Sequence, residues 1–160
     1  MNTRFYPTKG FSLIEVMVAV FILSLGLISL SRLQLTSLQF NYASQQRSLV
    51  LNQILEMADR MRANPIGVAA GNYNHLSPTE VAIDCTSACT PQQIAARDFN
   101  IWNRENKGLF TSGSGEVKAI RPHVYDLIIR WDSQRTGATG KNCSGNIAED
   151  LTCVKMRVKL

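Results

Sequence analysis

The stretch that decides the fold lies near the N-terminus, where residues 9–31 are KGFSLIEVMVAVFILSLGLISLS. A lysine and a glycine are followed at Phe11 by a long apolar run whose only charge is Glu15. As a helix, Phe11–Ser31 is roughly 31 Å long at about 1.5 Å per residue, which matches the ~30 Å hydrocarbon core of a bilayer. The sequence therefore predicts a helix that spans a membrane.

The residues before this run form a short basic leader. Arg4 and Lys9 are its only charges, which favours a cytoplasmic leader and places the remainder of the chain on the other side of the membrane. A secretory signal peptide loses its apolar region on cleavage. Here the candidate processing point, between Gly10 and Phe11, comes before the apolar region, so we expect the helix to stay with the mature protein.

Glu15 is costly in this setting, because a carboxylate at the centre of a membrane helix costs on the order of 2.5–3.5 kcal/mol, and less near an end. One interpretation is an acid tolerated at the interface, since the first turns of a helix favour negative charge. The other is functional. Cleavage before Phe11 exposes an α-ammonium group, and Glu15 of one subunit pairs with that group on a neighbour, which sets the axial register between subunits.

The predicted helix continues well beyond a membrane span. Neither proline nor a turn cluster interrupts Phe11–Ala63, and Asn64-Pro65 ends the helix because the residue before proline avoids the α region. Beyond Arg32 the helix becomes polar on one side, while an apolar stripe recurs at helical spacing. The stripe predicts packing against the following domain, and it consists of Leu51, Ile54, Leu55, Ala58 and Met61.

Residues 65–160 are expected to form one small domain with a limited core. Its four cysteines, which allow three pairings, are Cys85, Cys89, Cys143 and Cys153. Outside the cytoplasm disulfides are the default, and the short separations favour Cys85 with Cys89 and Cys143 with Cys153. A zinc site is the alternative, but no histidine lies at ligand spacing. We therefore expect neither a metal nor another cofactor.

A helix is predicted after the second cysteine. Thr90 is its N-cap, Pro91 occupies the first position and Gln93 closes a capping box. The helix is expected to run to about Asn106, where Lys107-Gly108 ends it.

Strands follow a loop at Thr111–Gly115 that is expected to be flexible. Residues 124–132 and 154–160 alternate between apolar and polar side chains, as half-buried strands do. They are expected to pair antiparallel, with a third strand near Val117–Ile120 and a connecting loop at 133–150. Helices and an antiparallel sheet packed on the long helix make an α+β fold.

No group of residues resembles a catalytic site, so an enzyme is not expected. His75 and His123 are isolated in the sequence. The segment Gly113-Ser114-Gly115 lacks the strand-to-helix context and the lysine of a phosphate-binding loop.

The net charge of +5 is mild. Lys155, Arg157 and Lys159 line one face of the last strand, and an edge protected against aggregation explains them more simply than a nucleic-acid site does. We therefore do not expect nucleic acid as a partner.

The N-terminal segment resembles the class III signal of type IV pilins and related pseudopilins. The resemblance implies that a prepilin peptidase cuts between Gly10 and Phe11, that Phe11 is N-methylated, and that Glu15 sets the register of assembly. It implies a pilin-like α+β fold as well. The residues that carry it are Gly10–Ala19, Gly26-Leu27, Leu33-Gln34, Ala58–Asn64 and Cys89–Gln93.

Within that superfamily the chain is similar to minor pilins. It lacks the proline that many major pilins have inside the apolar helix, and it is longer than the small pseudopilins of type II secretion. The implied protein is a single-pass inner-membrane subunit with a periplasmic C-terminal domain that later joins other minor and major pilins in a surface pilus. A type II secretion minor pseudopilin and a membrane-anchored DNA-binding pilin for transformation are the alternatives.

The implied organisation has four parts. Residues 1–10 are the leader, 11–31 the transmembrane and assembly helix, 32–64 its amphipathic continuation, and 65–160 the disulfide-stapled globular domain.

Overall fold

One long helix precedes all other elements of the chain. A computed structural model describes residues 10–74, 76, 85 and 88–160. The chain divides into two compact units between Tyr42 and Ala43, and the second unit is Ala43–Leu160. The α+β class predicted from the sequence is confirmed. The elements, in chain order, are α1 (Leu13–Ala63), α2 (Pro65–Ala69), α3 (Pro91–Leu109), β1 (Ser114–Arg121), β2 (Val124–Trp131) and β3 (Thr152–Lys159).

The sequence predicted that α1 begins at Phe11, but the helix begins at Leu13. The carbonyl of Ser12 accepts the first hydrogen bonds, from the amides of Glu15 at 3.1 Å and Val16 at 3.3 Å. Gly10 and Phe11 therefore lie before the first turn. At the other end, Arg60 and Arg62 occupy the last turn, where positive charge complements the helix dipole.

The apolar stripe of α1 is offset from the predicted one. Leu51 and Leu55 are exposed, so their assignment to the core was wrong. Helical periodicity gives the spacing of a stripe but not which of two adjacent rows faces the domain, because that choice depends on the packing partner. The buried residues are Val50, Ile54, Met57, Ala58 and Met61.

Pro65 ends α1 as predicted and also begins the short helix α2, which the sequence analysis did not anticipate. Asn64 caps this helix, since its Oδ1 accepts the Gly67 amide at 3.1 Å. Its Nδ2 donates to the Tyr73 hydroxyl at 3.1 Å and to the Pro91 carbonyl at 2.8 Å. A side chain at Gly67 would collide with Asn64. One residue therefore links the end of α1, the start of α2 and the start of α3.

The capping box at the start of α3 is confirmed. Thr90 Oγ1 accepts the Gln93 amide at 3.2 Å, and Gln93 Oε1 accepts the Thr90 amide at 2.9 Å. The predicted end of the helix was wrong, because α3 continues through Lys107-Gly108 to Leu109. A glycine costs a helix only about 1 kcal/mol. The buried ring of Phe110, with its centroid 5.9 Å from that of Trp131, holds the last turn in place.

The three strands form one antiparallel sheet in the order β1-β2-β3. The pairing of the last two strands and the third strand near Val117–Ile120 are confirmed. Part of the predicted loop Thr111–Gly115 was wrong, since β1 begins at Ser114. Gly115 fits this position because its backbone lies against the Trp102 ring, which a Cβ would strike.

Strand β2 is buried on both faces, whereas its alternation predicted a half-buried strand. It is the central strand, and long side chains of its neighbours cover its outer face. Ile128, for example, lies in register between Glu116 and Lys155. The aliphatic stems of such charged residues cover apolar surface while their charges stay in water.

The described core lies within Ala43–Leu160 and combines α1, α3 and the inner face of the sheet. Its largest fully buried side chains are those of Trp102, Trp131, Tyr73 and Tyr125. Trp102 Nε1 donates to the Gln53 carbonyl at 2.7 Å and Trp131 Nε1 to Gln46 Oε1 at 2.8 Å. These two bonds tie α3 and β2 to the second half of α1.

Candidate assembly segment and processing site

The N-terminal half of α1 has no packing partner within the described chain. Residues 10–49 are exposed apart from the half-buried Gln46, and the first buried residue is Val50. Helix α1 contains a window with mean hydropathy 2.6, none of it buried, which is long and apolar enough to cross a membrane. Apolar surface of this extent is unfavourable in water. This composition is consistent with membrane anchoring.

Three serine hydroxyls of the apolar segment bond within the helix itself. Ser24 donates its hydroxyl hydrogen to the Val20 carbonyl at 2.7 Å, and Ser31 donates to Leu27 at 2.9 Å. Ser29 makes the same type of bond to Leu25 at 3.1 Å. Such bonds to the carbonyl four residues earlier leave no free hydroxyl donor, which lipid surroundings require.

The predicted processing residues lie next to each other outside the helix. Gly10 and Phe11 are exposed, and Phe11 retains 84% of its surface. A Cβ added at Gly10 would meet nothing within 4 Å, so the fold does not itself require glycine here. The peptide bond between them is free of the helical hydrogen bonds that would hide it from a peptidase.

Glu15 lies in the first turn of α1, where the dipole favours a carboxylate. It is exposed, and no ion pair joins it to another residue of the described segments. Its position one turn after Phe11 leaves the carboxylate available to a cation from outside the chain.

The cysteines lie far from this segment along the chain. The structure joins Cys85 to Cys89 and Cys143 to Cys153, the pairing that the sequence favoured. The described residues contain no free cysteine and no cluster of metal-ligating side chains. His123 occupies the turn between β1 and β2, where its carbonyl accepts the Leu160 amide at 2.8 Å. His75 lies outside the described residues.

A polar network in the second unit, Ala43–Leu160 (the packed unit), was not anticipated from the sequence. The Tyr73 hydroxyl donates to Asp98 Oδ2 at 2.9 Å and accepts from Asn64. Burial raises the pKa of the Tyr73 hydroxyl. Burial also raises the pKa of Asp98, although the hydrogen bond from Tyr73 and the charge of Arg60 act to lower it. The only signal in the sequence was Asn64 before a proline, and it did not reveal the two partners. The network holds the start of α3 to the end of α1.

Three basic residues, Lys155, Arg157 and Lys159, lie on one face of β3. Among the described residues, only Arg157 of these three forms an ion pair with an acidic side chain. Its Nε donates to Asp126 Oδ1 at 2.7 Å and its Nη2 to Oδ2 at 3.0 Å. This bidentate pair lowers the pKa of Asp126 against the opposing effect of burial. Lys155 and Lys159 are exposed, and no ion pair involves them in the described part of the chain.

The comparison with protein families locates the known motif in the same segment. Residues 7–31 match the family described as the prokaryotic N-terminal methylation motif. No curated protein and no solved structure matches the chain. The motif is typical of type IV pilins and pseudopilins, which are structural subunits rather than enzymes, and which a prepilin peptidase processes before assembly. The matched residues and the unpartnered apolar helix that contains them thus indicate a type IV pilin-like or pseudopilin protein.

Proposed function

We propose that this chain is a minor pilin of a type IV pilus, similar to the type IV pilus modification protein PilV. In this role it joins other minor pilins to prime or cap the filament, and so supports adhesion and twitching motility. The observation that carries the proposal is the coincidence of the methylation motif at residues 7–31 with an apolar window of α1, none of which is buried.

The assembly step follows from the chemistry of the helix. Before assembly, lipid covers Phe11–Ser31. In the filament, neighbouring helices replace the lipid, and van der Waals packing rather than the hydrophobic effect favours the exchange. The α-ammonium of a mature subunit, N-methylated at Phe11, then meets Glu15 of its neighbour. In a surrounding of low dielectric, an unpaired Glu15 is strongly disfavoured, so only one register is stable.

The compartment assigned by this proposal suits the globular domain. The leader of residues 1–10 stays on the cytoplasmic side because of Arg4 and Lys9. Residues 65–160 then lie in the periplasm, an oxidising compartment in which both disulfides persist. The prepilin peptidase acts first, and the other minor and major pilins are the later partners.

The test is the N-terminus of the protein recovered from membranes and from sheared pili. We expect intact-mass analysis to find a chain that begins at N-methylated Phe11. Gly10→Leu should remain uncut and should be absent from pili, whereas the matched variant Ser12→Ala should be cut and incorporated. Wild-type protein that still begins at Met1, or that has lost the apolar helix, would refute the proposal.

A second result would assign the chain to a different class within the superfamily. If the chain is cut after Gly10 but is absent from sheared pili, and its deletion blocks protein secretion instead, the type II secretion pseudopilin becomes the better assignment.

A further inference from the structure

The two outer strands of the sheet differ in how their free edges are covered. On β1, the Gly115 amide points away from β2 and donates to Asn103 Oδ1 of α3 at 2.8 Å. The Trp102 ring of α3 lies against the same glycine. Helix α3 therefore covers this edge at Gly115, and covering an edge is one way in which natural sheets protect it.

The edge of β3 is closed only at its beginning. The Leu151 amide donates to the Gly140 carbonyl at 2.9 Å, and the loop that contains Gly140 is pinned by the disulfide from Cys143 to Cys153. Further along, the Leu160 amide donates to His123 at 2.8 Å. That bond fixes which backbone groups of β3 face β2, because successive residues alternate in an antiparallel pair.

By this alternation, the backbone N–H and C=O groups of Lys155, Arg157 and Lys159 point away from β2. No other described residue forms a hydrogen bond with them. These unpaired groups form a template for one more strand. The same three residues carry the cationic side chains of the outer face, so the open backbone and the charge coincide.

The charge around this edge is unbalanced. Arg157 is paired with Asp126 and Arg130 with Glu116, at 2.7 Å in both cases. Lys155 and Lys159 form no ion pair within the described segments, although Lys155 lies near enough to Asp126 to help lower the pKa of that carboxylate. A second copy of β3 would place like charges opposite each other, which destabilises strand pairing. The edge therefore disfavours self-association and favours an acidic segment.

The inner side of the edge is apolar. Val154, Met156 and Leu160 are partly buried and pack against the core. A strand added beside β3 would cover the rest of their surface with its own inward-facing side chains. The best complement is therefore a segment in which acidic and apolar residues alternate.

We propose that the open edge of β3 at Lys155–Lys159 is a docking site for an extended, acidic segment of a partner protein, which adds to the sheet as a further strand. Main-chain hydrogen bonds supply affinity in this mode of recognition, and alternate side chains supply specificity. The proposal does not depend on which pilin-like class the chain belongs to.

The test uses the full chain in non-ionic detergent and a fluorescent peptide, about eight residues long to match β3, that alternates glutamate with valine. Binding is measured by anisotropy, and amide exchange is measured with and without peptide. We expect protection of the Lys155, Arg157 and Lys159 amides. A peptide with lysine in place of glutamate should not bind.

Two substitutions at one position separate the contribution of the backbone hydrogen bond to binding from the contribution of the charge. Lys155→Thr removes only the charge, whereas Lys155→Pro also removes the outward N–H, which an edge strand tolerates. We expect the proline variant to bind about tenfold more weakly than the threonine variant, since it lacks one main-chain hydrogen bond and leaves a partner carbonyl unpaired. Lys118→Thr removes a lysine from the opposite outer strand, β1, so it is the matched control and should bind as wild type does.

Equal affinity of the two Lys155 variants would overturn the proposal, as would binding without amide protection. Competition by a single-stranded DNA oligonucleotide, salt-sensitive and without protection of these amides, would also overturn it and would point to a general polyanion surface. If the fluorescence of Trp102 and Trp131 shows that the proline variant is unfolded, amide protection in the wild type decides alone.

Discussion

Helix α1 contains two regions with the same secondary structure and opposite environments. Ile28 lies in the first unit and is 57% exposed, whereas Ile54 lies in the second and is fully buried. Backbone hydrogen bonding is the same in both. What differs is the source of the packing partner: the second region finds it in its own chain, and the first must find it in lipid or in another subunit.

The two regions also satisfy their polar groups differently. In the first, the serine hydroxyls return to carbonyls of the same helix, as Ser24 does with Val20. In the second, tertiary bonds such as Trp102 to the Gln53 carbonyl connect separate elements. A segment that closes its hydrogen bonds locally can exchange one apolar surrounding for another. A segment that depends on tertiary bonds cannot do so without unfolding.

The largest expected difference between the two regions comes from a matched pair of substitutions in α1. Ile54→Ala should lower the free energy of unfolding of the packed unit by about 2–5 kcal/mol, because it leaves a cavity in the core. Ile28→Ala should leave that free energy unchanged. Trp102 and Trp131 are the only tryptophans and both are buried in the packed unit. Denaturant titration of the full chain in detergent, followed by their fluorescence, measures the difference.

The Ile28→Ala variant is the control for helix propensity, since both substitutions introduce alanine into the same helix. A loss of stability at Ile28 as large as at Ile54 would mean that the first region packs on the domain after all.

Glu15 bears on the difference between the two regions because it is the one charge in the apolar run Phe11–Ser31. Glu15→Ala should insert into membranes at least as well as the wild type, since a costly carboxylate is removed. Its recovery in sheared pili should fall about tenfold, the change that 1.4 kcal/mol of lost pairing energy produces. Quantitative immunoblotting of membrane and pilus fractions measures both. Glu15→Asp keeps the charge and should be recovered better than the alanine variant, and equal incorporation of all three forms would exclude the register role.

Local sequence rules predicted those features that local interactions decide. The capping box of Thr90 and Gln93, the end of α1 before Pro65 and the pairing of the last two strands all follow from short motifs or periodicity. The predictions that were wrong concern features that tertiary packing decides. Helix α3 runs past Gly108 because Phe110 is buried, and Gly115 is a strand residue because the Trp102 ring lies against it.

The candidate assembly segment was the most predictable part of the chain, since its composition alone defines it. The network of Asn64, Tyr73 and Asp98 was the least predictable, because its members are far apart in the sequence and no motif includes Tyr73 or Asp98. The sequence likewise could not show which edge of the sheet α3 covers, because that depends on where the helix packs.

The smallest expected effect is a loss of stability at low pH, and it should be confined to the packed unit. Asp132 lies after β2, where its carboxylate accepts the amides of Gly137 at 2.8 Å and Thr136 at 3.0 Å. Burial opposes its ionisation, but these bonds outweigh it, so the pKa of Asp132 lies below its usual value. The bonds around Asp150 and the Arg157 pair lower the pKa values of Asp150 and Asp126 in the same way. Asp98, with a raised pKa, acts in the opposite direction.

A carboxyl whose pKa is lower in the folded state than in the unfolded chain stabilises the fold above its unfolded pKa, about 3.9 for aspartate. That contribution is lost as the pH falls through the folded pKa, because the unfolded chain then binds more protons. Asp132→Asn should therefore be less stable than the wild type at neutral pH, and the difference between their free energies of unfolding should shrink as the pH falls below about 3.9. The same tryptophan fluorescence measures this. A difference that stayed constant across the range would mean that the substitution acts through the shape of the turn rather than through the charge of Asp132.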